Sequence, residues 1–502
     1  MLRLLGFWPA IACILLVATV LGPSVSAPQN SLAPATYSTS DWLNWARTAW
    51  RYYQPGVGVD SASGLHRATL TWNCFTDWDL GTYIFSIIFA RKLNLISDGS
   101  GSGDWQFTDR INRVFTFLQN RPLSGPTPYW AYDWATGTPC SETASKLSDG
   151  ADQARLLGAL HALTAFRPNY ASQVASIFAR SHSAYDTFFT ELGTNYYDYF
   201  FAEGYAAFGY NESRVFNAID NYSGPFLNVY GQSLPLMKTG AEPLDLEILE
   251  GTYAIHPPSS SFLSFANEVS LAQAGRFAST NLLTAWSEGA YSNPDYIYEW
   301  IIVNTGGWQT WTLASATQSI IKVPPLAFTK VAFSYLAIYG ETPYTLALVN
   351  ATKQLASSQG FGEGTFENGV SAMSLWGSNT GGFYTDKTNE QVLAAAVYAV
   401  SHTIGYGTTF TTTSSPLLSS TSTYATSSGS TVGSTISTSA SNPISTPITG
   451  FSWATIIVGI ILGLSVLVLR RGRRLGRTHS LGSKYSNVEA KPSDGNVLSL
   501  GA

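Results

Sequence analysis

Four stretches of the chain share one design, in which polar residues carrying a carboxylate or threonine stand before a run that is apolar nearly all round. Thr76-Asp77-Trp78-Asp79 precedes Leu80 to Ala90, and Ser148-Asp149-Gly150-Ala151-Asp152 precedes Ala154 to Leu163. Weaker copies are Thr329-Lys330 before Val331 to Tyr339 and Asp386 to Glu390 before Val392 to Val400. Asp and Thr suit helix starts, and a helix apolar on every face must be surrounded by other helices. Asp41 to Tyr53, Phe107 to Leu118 and Tyr170 to Leu192 instead mix charge with apolar residues at three-to-four spacing, the pattern of half-buried helices. Two helix populations predict an all-α fold, a double-ringed α/α toroid. Strand-like alternation is short and scattered, so an all-β fold carries little weight. In a toroid the polar starts of the inner helices gather at a mouth, where acids distant in sequence meet. Capping is the competing role for Asp79 and Asp152.

The ends of the chain follow different patterns. Residues 1–27, with Arg3, an apolar run from Ile11 to Leu21 and small residues up to Ala27, read as a secretory signal. Phe451 to Leu469 is apolar and uncharged and is followed by Arg470, Arg471, Arg473, Arg474 and Arg477, which predicts one transmembrane helix with a cytoplasmic basic tail, 470–502. Residues 407–450 are mostly Ser and Thr and predict a disordered, O-glycosylated stalk. The expectation is a single-pass cell-membrane protein whose folded domain, 33–406, lies outside the cell.

Charge and composition narrow the partners. Of 27 Lys and Arg, one lies in the leader and seven follow Leu469, and of 32 acids two lie in the tail, so the folded domain is near −11. That excludes nucleic acid as a partner, which needs clustered positive charge. The aromatic fraction, 14%, supplies flat apolar faces on which sugars stack, although large cores use them too. Cys74 and Cys140 remain once the leader is removed, and a disulfide between them suits an oxidising compartment. Asn211, Asn221 and Asn350 begin N-glycosylation sequons. With no CxxC, no HExxH and no histidine cluster, no metal site and no organic cofactor is expected.

Thr76-Asp77-Trp78-Asp79-Leu80-Gly81-Thr82-Tyr83, followed by Ala90 to Ile96, resembles the opening of the family catalogued as domain of unknown function 3131. Further matches keep the family's order: Ala151 to Leu157, Glu203-Gly204-Tyr205, Glu242-Pro243, Glu250-Gly251, Gln273 to Arg276, Thr284 to Glu288, Thr329 to Phe333, Gly382 to Tyr384 and Thr388-Asn389. The chain departs from the pattern at Gln153-Ala154, where an apolar-Gly pair is usual, and at Gly204, where a polar residue is more common. More distantly, the order of motifs is similar to the glucoamylase-like domains of β-1,2-glucan-acting enzymes. That kinship implies an (α/α)6 barrel and a glycoside hydrolase.

Glycoside hydrolysis needs one protonated and one ionised carboxyl group. Glu203, crowded by Tyr199, Phe200, Phe201 and Phe208, is the expected general acid, because desolvation raises a carboxyl pKa. Asp152 is expected to be the base or a substrate-hydroxyl contact, with Arg155 on the same helical face, a spacing that equally makes an Asp–Arg ion pair. Glu288 follows Trp286 and is the third catalytic candidate. Asp79, Trp78, Arg155, Glu242, Glu250, Gln273, Arg276 and Lys330 are candidate substrate contacts. Trp72 and Trp130 are further stacking candidates. The segment Glu242 to Glu250, which includes Asp245 and Glu247, reads as an acidic solvated loop in preference to a Ca²⁺ site. The leading reading is a membrane-anchored glycoside hydrolase acting on a polysaccharide or oligosaccharide. Its rival is a non-catalytic glycan-binding or envelope scaffold protein. A lyase or epimerase ranks last, since His66, His161, His182 and His256 form no pattern.

Overall fold

The computed structural model describes residues 37–403, apart from 293–294 and 373–382. The expected leader, stalk, transmembrane span and tail lie outside the described residues. No helix among the described residues is long and apolar enough to cross a membrane.

Twelve α-helices alternate along the described chain between an outer and an inner layer. The inner ones are α2 (Asp77–Lys92), α4 (Gly150–Phe166), α6 (Tyr196–Ala206), α8 (Glu242–Glu250), α10 (Thr329–Tyr339) and α12 (Asp386–Thr403). Each packs on the next, and α12 returns to α2, which closes a ring. The outer ones are α1 (Thr39–Trp50), α3 (Phe107–Asn120), α5 (Ala171–Phe188), α7 (Ser213–Asp220), α9 (Ser260–Thr280) and α11 (Pro343–Thr352), each seated on its inner neighbour. This is the double ring expected from periodicity.

Sequence explains the layering. Every residue of α2 from Asp77 to Ala90 is buried, as an all-round apolar helix requires. In α3 the buried set Ile111, Val114, Phe115 and Leu118 forms one stripe, while Asn112, Thr116 and Asn120 face solvent. Thr76 and Asp79 form a capping box that starts α2. Asp149, rather than Asp152, caps α4 by accepting from the amides of Ala151 and Asp152.

Two expectations need correction. Glu242 to Glu250 is the buried helix α8 and not a solvated loop. Pro243 fits its first turn, Leu244, Leu246 and Leu249 are buried, and its terminal acids have cationic partners in the barrel, Lys330 for Glu242 and Arg155 for Glu250. Nor is the fold purely helical, since the described residues include six small sheets. Two matter here: the hairpin β1 (Phe226–Val229) with β2 (Gln232–Pro235), and the antiparallel sheet β3 (Glu288–Ala290), β4 (Tyr296–Asn304) and β5 (Trp308–Ser315).

Cys74 and Cys140 are joined in a disulfide with Cα atoms 6.2 Å apart. Asn211, Asn221 and Asn350 are all exposed.

Candidate active site

The first turns of the inner helices supply a set of polar residues that interact with one another and with the β3–β5 sheet. Trp78 and Asp79 come from α2, Asp152 from α4, Tyr197 from α6, Glu242 from α8, Lys330 from α10, and Asp386 and Lys387 from α12. The sheet adds Glu288 on β3 and Tyr296 and Tyr298 on β4, with Glu288 paired to Tyr298 across the strands.

Glu288 is buried and well supplied with donors. It accepts from the hydroxyls of Tyr197 at 2.9 Å and Tyr296 at 2.8 Å, and Lys387 Nζ lies 3.4 Å away. Burial works to raise its pKa, but Lys387, Lys330 and the two tyrosines outweigh it and hold the carboxyl below the usual glutamate range. Lys387 also donates to the Tyr296 hydroxyl at 3.1 Å and sits 4.5 Å over the Trp78 ring.

Asp152 has the opposite character. One carboxylate oxygen is buried without a hydrogen-bond partner among the described residues. Desolvation, reinforced by Asp149, Asp79 and Asp77, pushes its pKa well above the ordinary aspartate value, with Lys387 acting against the shift. Asp79 is raised to about 7, first by burial and then by Asp386, while it also serves as half of the capping box. The mouth therefore holds one carboxyl shifted down and others shifted up, with Lys387 and Lys330 among them.

Glu242 and Lys330 form a fully buried ion pair at this end of the ring. Behind it, Arg155 pairs with Glu250, one contact at 2.8 Å, and approaches Glu390 at 3.5 Å. The expected Asp152–Arg155 pair is thus not formed, because two glutamates from other helices claim the guanidinium. Glu203 is also placed apart from Asp152. It is half-buried, accepts from the amides of Ile255 at 2.7 Å and His256 at 3.1 Å, and lines a cavity of about 40 Å³ with Arg155, Glu247 and Glu250. Burial raises its pKa to about 8 against those amide bonds. The cavity is far below the several hundred Å³ of a ligand pocket and suits a water molecule.

Gln273 and Arg276 do not reach the mouth. Gln273 is fully buried, donating to the Tyr335 hydroxyl at 2.7 Å and accepting from the Trp286 amide at 2.6 Å. Arg276 binds Glu367 at 3.0 Å and Thr284 at 2.8 Å. Trp286 is likewise core, with its indole N–H donated to Glu367 at 2.7 Å. Trp72 and Trp130 pack together beside the disulfide. Among the described residues one group has metal-ligand spacing, Cys74, Cys140 and Glu142, and its cysteines are consumed in the disulfide. A cavity of about 720 Å³ runs along α3 beside Asn112 and Arg113, away from the perturbed acids.

The sequence reading missed Lys387, Tyr197, Tyr296 and Tyr298. Lys387 stands at a helix start just as Lys330 does, and Tyr296-Ile297-Tyr298-Glu299-Trp300 carries the period-two aromatic signal of a strand.

The sequence pattern described as "Protein of unknown function (DUF3131)" matches residues 44–401. The chain belongs to that family. No curated protein sequence matches it. Among solved structures, a candidate glucoamylase from Bacteroides uniformis is similar to this DUF3131 member over 72% of the chain and 92% of its own, at 12% identity with a TM-score of 0.51. An endo-β-1,2-glucanase from Chitinophaga pinensis, in complex with sophorotriose and glucose, covers 73% of this chain and 94% of its own at 13% identity and TM-score 0.48. Another from Talaromyces funiculosus, in complex with sophorose, covers 73% and 87% at 11% identity and TM-score 0.48. The first of these shows a shared fold.

Proposed function

We propose that this DUF3131 member is a glycan-active enzyme, a glycoside hydrolase, with Asp152 as general acid and Glu288 as the ionised partner. The carrying observation is that Glu288, buried at the mouth, accepts from the Tyr197 and Tyr296 hydroxyls and lies 3.4 Å from Lys387, whereas one Asp152 carboxylate oxygen is buried without a hydrogen-bond partner among the described residues, so the two carboxyls are shifted in opposite directions. Asp152 would deliver its proton to the leaving glycosidic oxygen, and Glu288 would activate water or attack the anomeric carbon. This reverses the role expected of Asp152 and leaves Glu203 as a support of the barrel. The pattern of the chain's ends supports a cell-surface location on a Ser/Thr stalk, as do the disulfide and the exposed sequons.

The test is reducing-end release from a panel of α- and β-linked glucans by the purified full-length protein. Release from one glucan, lowered about 100- to 10,000-fold in Glu288→Gln and in Asp152→Asn with unchanged melting, supports the assignment. Saturable binding with no release from any glucan would make the protein a non-catalytic glycan binder.

A further inference from the structure

The hairpin β1–β2 turns through Tyr230 and Gly231, both in the left-handed region with φ 49° and 87°. A two-residue turn of this kind needs positive φ at both positions, and Asn-Gly supplies it without strain. Tyrosine in the first position breaks that rule. Trp311 on β5 breaks another, with φ 55° between the strand pairs Ile302–Thr310 and Trp300–Thr312. Positive φ at a bulky residue is an outlier that surrounding structure must enforce.

Both rule-breaking residues bring their rings to the same place. The Tyr230 and Trp311 centroids are 5.8 Å apart with planes at 68°, which makes a notch. Tyr230 is 39% exposed and Trp311 half-buried. Trp311 is braced by the edge-on Trp286 ring and by the Arg276 guanidinium, 4.9 Å from its centroid. The hairpin is seated on α9, since a Cβ on Gly275 would press on Tyr230 at 2.8 Å. Trp105, the remaining aromatic with positive φ among the described residues, is covered instead by Arg110 and Arg113.

The surroundings define the ligand's chemistry. Neither Asn221 to Met237 nor Trp300 to Ile321 contains Asp, Glu, Lys or Arg. Asn228, Ser233 and Gln309 are exposed nearby, and the Arg276 charge is taken by Glu367. Aromatic faces with neutral amides and hydroxyls suit the CH faces and hydroxyls of an uncharged sugar. A nucleic acid or anionic membrane would need basic residues here. We infer that the Tyr230–Trp311 notch is a binding site for an uncharged glycan chain, built from residues other than the acids and lysines of the mouth. The inference rests on the glycan-active reading for its choice of ligand and not on turnover.

The experiment uses the full-length protein carrying Glu288→Gln and measures its retardation in native gels containing soluble neutral α-1,4-, β-1,3- or β-1,2-glucan. Retardation by at least one glucan is expected, and Tyr230→Asn should weaken it by about fivefold or more, the equivalent of a ring contact worth ~1 kcal/mol. Tyr230→Asn restores the favoured Asn-Gly turn, so its melting temperature should hold or rise, which separates lost binding from lost folding. Trp311→Gly, which also relieves a left-handed residue, provides a second variant. Unchanged retardation in both variants, or no retardation by any glucan, overturns the inference. So does self-association that Tyr230→Asn abolishes in sedimentation, which would make the notch a contact between copies. Loss of retardation in Tyr230→Asn when the parent protein hydrolyses no glycan would leave the notch standing and remove the enzyme reading.

Discussion

At the scale of single residues, the mouth is organised by Lys387. Its ammonium offsets the desolvation of Glu288, so removing it should release that burial cost. In Lys387→Met the Glu288 pKa rises, and the acid limb of the pH–rate profile should move to higher pH, while a limb that stays in place would separate Lys387 from Glu288. Glu203 gives a stability test of opposite sign. Its pKa is about 8 in the folded chain against an ordinary 4.5. Its burial therefore costs nothing below pH 4.5, costs progressively more as pH rises, and costs most above 8. Glu203→Gln should melt several degrees above the parent at pH 8.5 and close to it at pH 4.5, as thermal scans at the two pH values would show.

At the scale of elements, close approach between inner helices explains where glycine stands. A Cβ on Gly204 would overlap the Ala154 carbonyl oxygen, so α6 can lie against α4 only with glycine there. The contact is to the backbone of Ala154, so it accounts for Gly204, whereas Gln153 is placed to donate to Asp77 and to the Ser148 hydroxyl. Gly81 makes the same kind of approach to the Arg155 carbonyl, with 2.8 Å to a built Cβ. Gly204→Ala should cost about 1–3 kcal/mol through overpacking, read from urea unfolding midpoints. The buried ion pairs are matched across elements in the same way. Arg155 on α4 serves Glu250 on α8 and Glu390 on α12, and Lys330 on α10 serves Glu242 on α8. Helical spacing exposes neighbours within one helix, and for that reason it suggested Asp152 as the partner of Arg155.

At the scale of the whole molecule, the ring is closed by α12 packing on α2, so contacts between the two ends of the domain complete the barrel. The disulfide ties the residues just ahead of α2 to the segment leading into α4 over a sequence separation of 66. Replacing both cysteines with serine should lower stability by ~2–4 kcal/mol, and reductant should destabilise the parent but not the variant. Both effects would be read from chemical unfolding.

The sequence by itself determined the layering. Runs apolar on every face, such as Leu80 to Ala90, can be satisfied only inside a ring of helices, and striped runs such as Phe107 to Leu118 only on its outside. Local chemistry also made the helix starts legible, because a capping box spans four residues. What those starts do was decided by tertiary structure. Glu203 is expected as the acid for its aromatic neighbours and Asp152 as its partner beside Arg155 on one helical face, but a side chain's partners are set by which helices adjoin, and the ring gives Glu203 to the amides of Ile255 and His256. The lowered pKa of Glu288 comes from Lys387, Lys330, Tyr296 and Tyr197, which lie on α12, α10, β4 and α6. A carboxyl pKa depends on charges and donors within a few ångströms, and no reading along the chain can assemble groups so far apart in sequence.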